Sequence, residues 1–184
     1  MGEVVGEGTG VASNELLGHY LNDHLAGAVA GCDLAEQIEA GQAGTPLGES
    51  MTELVADIKA DRATLETLME QLGVDKSRLK QTGGWVAEKV TRVRFSDTVT
   101  GSEALSRLMQ LEMLCIGVEG KRALWRALQA VAGSEGGALG AGSQQSGILD
   151  LDGLVNRAQD QIDRLESHRL TAAIDAFGAG RATG

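Results

Sequence analysis

Five ionisable residues stand where helical periodicity asks for apolar ones: His24, Asp61, Glu112, Glu119 and His168. His24 falls in the series 17, 21, 24, 28, 31, 35, 38, and Asp61 in the series 51, 54, 58, 61, 65, 68, 72. Both series keep the alternating three- and four-residue step of a core-facing helical stripe. Glu112 and Glu119 lie two turns apart on the line of Leu108 and Cys115, and His168 follows Leu165 by three residues. A charge taken out of water is costly unless it is paired or bound to a metal. Two chemistries answer that demand. One is a carboxylate and imidazole cluster for iron, manganese or zinc, with His24, Asp61, Glu112 and Glu119 as ligands. The simpler one needs no cofactor: His24 and Asp61 neutralise each other, and the two glutamates meet Lys121, Arg122 or a basic residue of the 76–95 segment.

The elements that would position these groups are helices. With 3% aromatics and few β-branched runs, the chain lacks the residues that sandwiches and barrels need. Its 184 residues suit a single domain that buries about 70% of its unfolded surface. The periodicity predicts helix 1 over 13–40 and a connection over 41–48 holding the only proline, Pro46. A capping box, Ser50-x-x-Glu53, is expected to open helix 2, which stops at Gly73. A second box, Thr100-x-x-Glu103, is expected to open helix 3, running to about Val131. Asp150 or Asp152 would cap helix 4, which continues to about Phe177. Between helices 2 and 3, the basic segment 76–94 carries Trp85, Val86, Val90 and Val93 and reads as a short extra helix packed across the bundle. Residues 133–147, rich in Gly, Ser and Gln, read as a flexible crossover loop, and residues 1–12 and 178–184 as flexible ends. The domain itself spans 13–177.

Charge narrows the partners. The formal net charge is −10, distributed as −12 over residues 1–75, +5 over 76–126 and −3 over 127–184. An acidic chain has no surplus of cations to displace phosphate counterions, so nucleic acid is not an expected partner. No apolar run approaches the roughly 18 residues of a membrane span. Residues 1–12 lack a basic stretch followed by an apolar one, so no signal peptide is expected, and Gly6 stands where a myristoylation motif needs Ser or Thr. Cys32 and Cys115 lie inside apolar helical patterns with no C-x-x-C spacing, as buried small hydrophobes do. A cytoplasmic protein is the expectation. The divided charge also suits self-association, which should then weaken as salt rises.

Nothing in the chain spells a catalytic motif. The glycine-rich stretches complete neither G-x-G-x-x-G nor a Walker sequence, and G-x-S-x-G is absent. The segments Tyr20–Ala28 (YLNDHLAGA), Ser77–Lys80, Trp85–Lys89 and Leu111–Trp125 (LEMLCIGVEGKRALW) do resemble blocks of an uncharacterised bacterial family with a ferritin-like fold. The resemblance covers about residues 15–177. It implies an all-α, ferritin-like four-helix bundle with an additional short helix, and no activity. Ferritin-like di-iron proteins draw a Glu from each of two helices and a Glu-x-x-His from each of the others. Here no Glu-x-x-His occurs, Asp57 and Asp61 come without histidine, and Asp163, Glu166 and His168 have the wrong spacing. The expectation is therefore a non-catalytic bundle acting as a structural or protein-interaction module, with a divergent metal-binding protein of oxidoreductase type as the alternative. An apolar-ligand carrier with a cavity between helices is the third reading, since sequence alone does not separate a cavity from a filled core.

Overall fold

A computed structural model describes residues 7–76, 102–134 and 149–178. They form four long helices: α1 (Glu7–Gly41), α2 (Pro46–Gln71), α3 (Glu103–Ala132) and α4 (Leu151–Phe177), with no strand among the described residues. The expected short helix and the basic segment beyond Lys76 lie outside the described residues, as do most of the crossover loop and the last six residues.

The helix ends depart from expectation in three places. α2 opens before Ser50, because Thr45 and Pro46 start it: the Thr45 hydroxyl accepts from the Gly48 N–H at 3.1 Å. Pro46 takes the first helical position, where its missing N–H costs nothing. Ser50 and Glu53 thus lie inside the helix rather than at its cap. Gly48 has its own reason, since a Cβ there would stand 2.1 Å from the Gln42 carbonyl oxygen. At α3 the cap is Ser102, whose hydroxyl accepts from Leu105 N–H at 3.3 Å, and Glu103 is the first helical residue. Asp150 caps α4 as expected, accepting from Gly153 N–H at 2.9 Å. α1 starts earlier than residue 13, at Glu7. α2 ends at Gln71 with Leu72 as its C-cap, and the φ of 65° at Gly73 lets the Val74 N–H return to the Met69 carbonyl at 2.9 Å.

The core is split into two apolar clusters. One joins the C-terminal half of α1 (Cys32, Leu34, Ala35, Ile38), the N-terminal halves of α2 and α3, and the C-terminal half of α4. The other joins the opposite halves, with Leu21, Leu25, Leu65, Met69, Leu124, Trp125, Leu128 and Leu154. The two clusters set the helix directions: α1 and α4 run one way, α2 and α3 the other. At about 1.5 Å per residue, α2 is roughly 39 Å long, so the link from Leu72 to Ser102 joins opposite ends of the bundle. α3 and α4 share the most extensive contact, α1 and α2 the next, and α1 meets α3 more sparsely. Between the two apolar clusters lies a polar midsection, and there Asp61 falls, between Ile58 of one cluster and Leu65 of the other.

Candidate functional site: an ion cluster and a cavity at mid-bundle

Asp61 is the centre of the midsection. It occupies the core stripe of α2 between Ile58 and Leu65, and its carboxylate is fully buried. Three groups from two other helices reach it. Lys121 Nζ of α3 donates to Oδ2 at 2.5 Å, and Gln161 Nε2 of α4 donates to the same oxygen at 3.0 Å. Arg157 of α4 holds Oδ1, its Nε donating at 2.7 Å and its Nη2 closing the same pair. Lys121 also donates to Gln161 Oε1, so the cluster closes on itself. Burial pushes the Lys121 ammonium below the ordinary lysine range, and Asp61 opposes that shift without cancelling it. Both partners stand on core stripes. Lys121 continues Leu114, Val118, Trp125 and Leu128, and Gln161 continues Leu154, Ala158 and Leu165. Three polar groups thus converge because three helices each place one at the same height.

On the α1 side of this cluster the bundle is hollow. A cavity of about 280 Å³ opens between α1, α2 and α3. Ile58, Leu65, Leu114, Val118, Leu124 and Trp125 form its apolar wall, and Asp23, His24, Asp61, Arg62 and Lys121 its polar part. The α1 wall carries Gly27, Ala28 and Gly31, and the α3 wall Gly117 and Gly120. A Cβ added at any of those four glycines would meet nothing within 4 Å. The void therefore follows from missing side chains on facing helices.

The candidate residues part company here. Asp61 is buried and His24 half-buried, and both line the cavity, yet they are not each other's partner. His24 packs edge-on against Tyr20, ring centroids 4.5 Å apart, and burial holds its imidazole below the ordinary histidine value while Asp23 pulls the other way. Glu112 and Glu119 lie off the cavity, with side chains 47% and 51% exposed. Glu119 pairs with Arg122 at 2.8 Å, one of the partners expected for it, and Glu112 faces Arg169 at 3.5 Å. His168 is half-buried on α4, its imidazole also lowered by burial. No three His, Cys, Asp or Glu side chains among the described residues are grouped as metal ligands would be. At Asp61 the donor set does not fit an added cation, because an ammonium and a guanidinium already hold its oxygens and would repel one.

Sequence reasoning missed Arg157, Gln161 and the glycines. Gln161 was visible as a break in the α4 stripe of the same kind as Asp61 on α2. The glycines carried a weaker signal, since Gly31 lies on the α1 stripe but nothing marks a glycine as facing another. Asn22, buried on α1, was also missed; its amide donates to the carbonyls of Gly18 (2.8 Å) and Asp75 (3.1 Å), tying α1 to the end of α2. Cys32 is buried and Cys115 half-buried against the core, both unpaired, with burial raising both thiols. No helix among the described residues is long and apolar enough to cross a membrane. Comparison with protein-family models, with curated proteins and with solved structures gives no match for this chain.

Proposed function

We propose that the chain is a non-catalytic, ferritin-like four-helix bundle that works as a structural or protein-interaction module by associating with itself. The observation that carries this reading is an apolar stripe left uncovered at the C-terminal end of α4. Leu170, Ile174 and Phe177 follow one another at four- and three-residue steps and are 50%, 70% and 69% exposed. Single exposed apolar residues are ordinary on a protein surface, but a run of them along one helical face marks a contact surface. Two further features agree. The one buried carboxylate among the described residues is held by Lys121, Arg157 and Gln161, which leaves it no role as a base or nucleophile. The helix directions, with one link spanning the bundle between α2 and α3, are those of ferritin-like folds, which carry a single long crossover.

The test is sedimentation of the full chain across salt and concentration, beside the double variant Ile174→Asp, Phe177→Asp. A wild-type oligomer that persists in high salt and a monomeric variant are the expected results. An oligomer that dissolves as salt rises would instead place the contact between the acidic front of the chain and its basic segment. A wild-type monomer under every condition overturns the proposal.

A further inference from the structure

The cavity between α1, α2 and α3 needs an explanation that the packing does not supply. A glycine inside a helix costs about 1 kcal/mol relative to alanine. Helices accept that cost where a neighbour comes too close for a Cβ. Gly27, Gly31, Gly117 and Gly120 have no such neighbour, since an added Cβ at each meets open space. What the glycines do maintain is the volume, about 280 Å³. An apolar cavity of about 150 Å³ already holds benzene. One buried polar group at this one has no partner among the described residues, and a second, His24, faces the same space. Trp125 lines the wall, fully buried, and its indole N–H has no hydrogen-bond partner among the described residues. His24 has its ring against Tyr20 and no hydrogen bond among the described residues.

We propose that this cavity is a binding site for a small, uncharged, mostly apolar molecule carrying one oxygen that accepts a hydrogen bond. The apolar body fits the wall of Ile58, Leu65, Leu114, Val118 and Leu124. The oxygen answers the Trp125 indole N–H or the His24 ring, both of which can donate. The absence of charge follows from the neighbouring ions. Lys121 is spent on Asp61 and Gln161, and Arg62 is paired with Glu66 through its Nε at 2.7 Å. A carboxylate in the cavity would be desolvated against cations already paired with acids, and an ammonium would face Lys121 and Arg62 with only the exposed Asp23 to answer it.

The experiment is calorimetric titration of the full chain with three probes: 1-tetralone, tetralin (the same rings without the oxygen) and 2-naphthoate (a comparable body with a charge). Tetralone should bind saturably at one site per chain. Tetralin and naphthoate should each bind at least about tenfold more weakly, a difference near 1.4 kcal/mol. Gly117→Leu, which fills the void from α3, should abolish tetralone binding. Because a leucine there could disturb folding, the double variant Gly27→Ala, Gly31→Ala serves beside it: it adds only two methyl groups, should keep or raise the Tm, and should weaken tetralone at least about tenfold by the same measure. Trp85→Phe leaves Trp125 as the only tryptophan, whose fluorescence should change on saturation with tetralone. Tetralone binding that does not saturate, or that survives both glycine variants unchanged, overturns the proposal. Equal binding of tetralin overturns the oxygen contact, and equal binding of naphthoate the requirement for an uncharged ligand.

Discussion

At one height in this bundle the two sides of α3 solve opposite problems. Toward α4 the midsection is full: Asp61, Lys121, Arg157 and Gln161 leave no hydrogen-bonding capacity idle around the carboxylate. Toward α1 it is empty, walled by glycines and ringed by polar groups, of which the Trp125 indole N–H lacks a partner among the described residues. Asp61 and Lys121 belong to both sides, since they close the ion cluster and also line the cavity. The difference shows what decides the fate of a polar residue on a core stripe. When the facing helix supplies its own polar residue at the same level, the pair locks. When the facing helix supplies a glycine, space remains.

The largest expected effect tests the full side. Asp61→Asn keeps the shape but removes the charge that two cations share. Leaving a buried partner uncompensated costs about 3–5 kcal/mol. Lys121 is the side chain that would suffer, because it is mostly buried and its ammonium is already disfavoured there. Arg157 is more exposed and can turn to water. Urea unfolding of the variant should show a loss of about 3 kcal/mol, at the lower end of that range. A loss of a few tenths would mean that the cluster contributes little and that the two sides differ less than their geometry suggests.

Lys121→Met sharpens the same point with a smaller effect. It removes a cation from a cluster that holds two, so Asp61 keeps Arg157 and Gln161. Removing one member of a buried ion pair is costly when it leaves the other charge uncompensated, but here Arg157 still neutralises Asp61 and the methionine fills the space of the lysine stem. The expected loss is about 1 kcal/mol or less, so the Asp61 and Lys121 variants should differ several-fold although they break the same contact.

These positions also show how far the chain could be read before its structure. Four long helices were legible because their apolar stripes run for six or more turns, and Asp61 was legible as a charge on one of them. Its partners were not, because stripe periodicity gives the face of a residue but not the height at which helices meet. Glu112 shows the other failing. A seam is narrow, and a rotation of about one residue, roughly 100°, moves a glutamate from the core to an arginine at the rim. The α2 N-cap failed for a local reason: Ser50-x-x-Glu53 satisfies the capping-box pattern, but Thr45 upstream caps the helix sooner and Pro46 sets the backbone angle.

The empty side gives the next effect, of opposite sign. Gly117→Ala and Gly120→Ala each add a Cβ into open space and remove the cost of a helical glycine. Each should stabilise the protein by about 1 kcal/mol, seen as a higher urea midpoint or Tm. Gly48→Ala is the contrasting variant, because its Cβ would meet backbone oxygen at 2.1 Å and should destabilise. If Gly117→Ala and Gly48→Ala behaved alike, α1 and α3 would be closer together than the cavity requires.

The smallest effect is a pH limb that reports on His24, the polar group facing the empty side. Its imidazole is lowered by desolvation, only partly offset by Asp23, so between its folded value and about 6.5 the unfolded chain holds more protons than the folded one. Stability is therefore complete above that range and declines as pH falls through it. His168 shifts the same way and adds to the limb. Glu166, held low by Arg169, loses its contribution only in the carboxylate range, so the histidine limb stands apart from acid unfolding. His24→Gln removes the titration while keeping a polar amide at the cavity. Urea midpoints at pH 7.5 and 5.5 should differ less in this variant than in the wild type, with the remainder left to His168. An unchanged difference would put His24 in water rather than against the hollow side of the bundle, and the contrast between the two sides would rest on Asp61 alone.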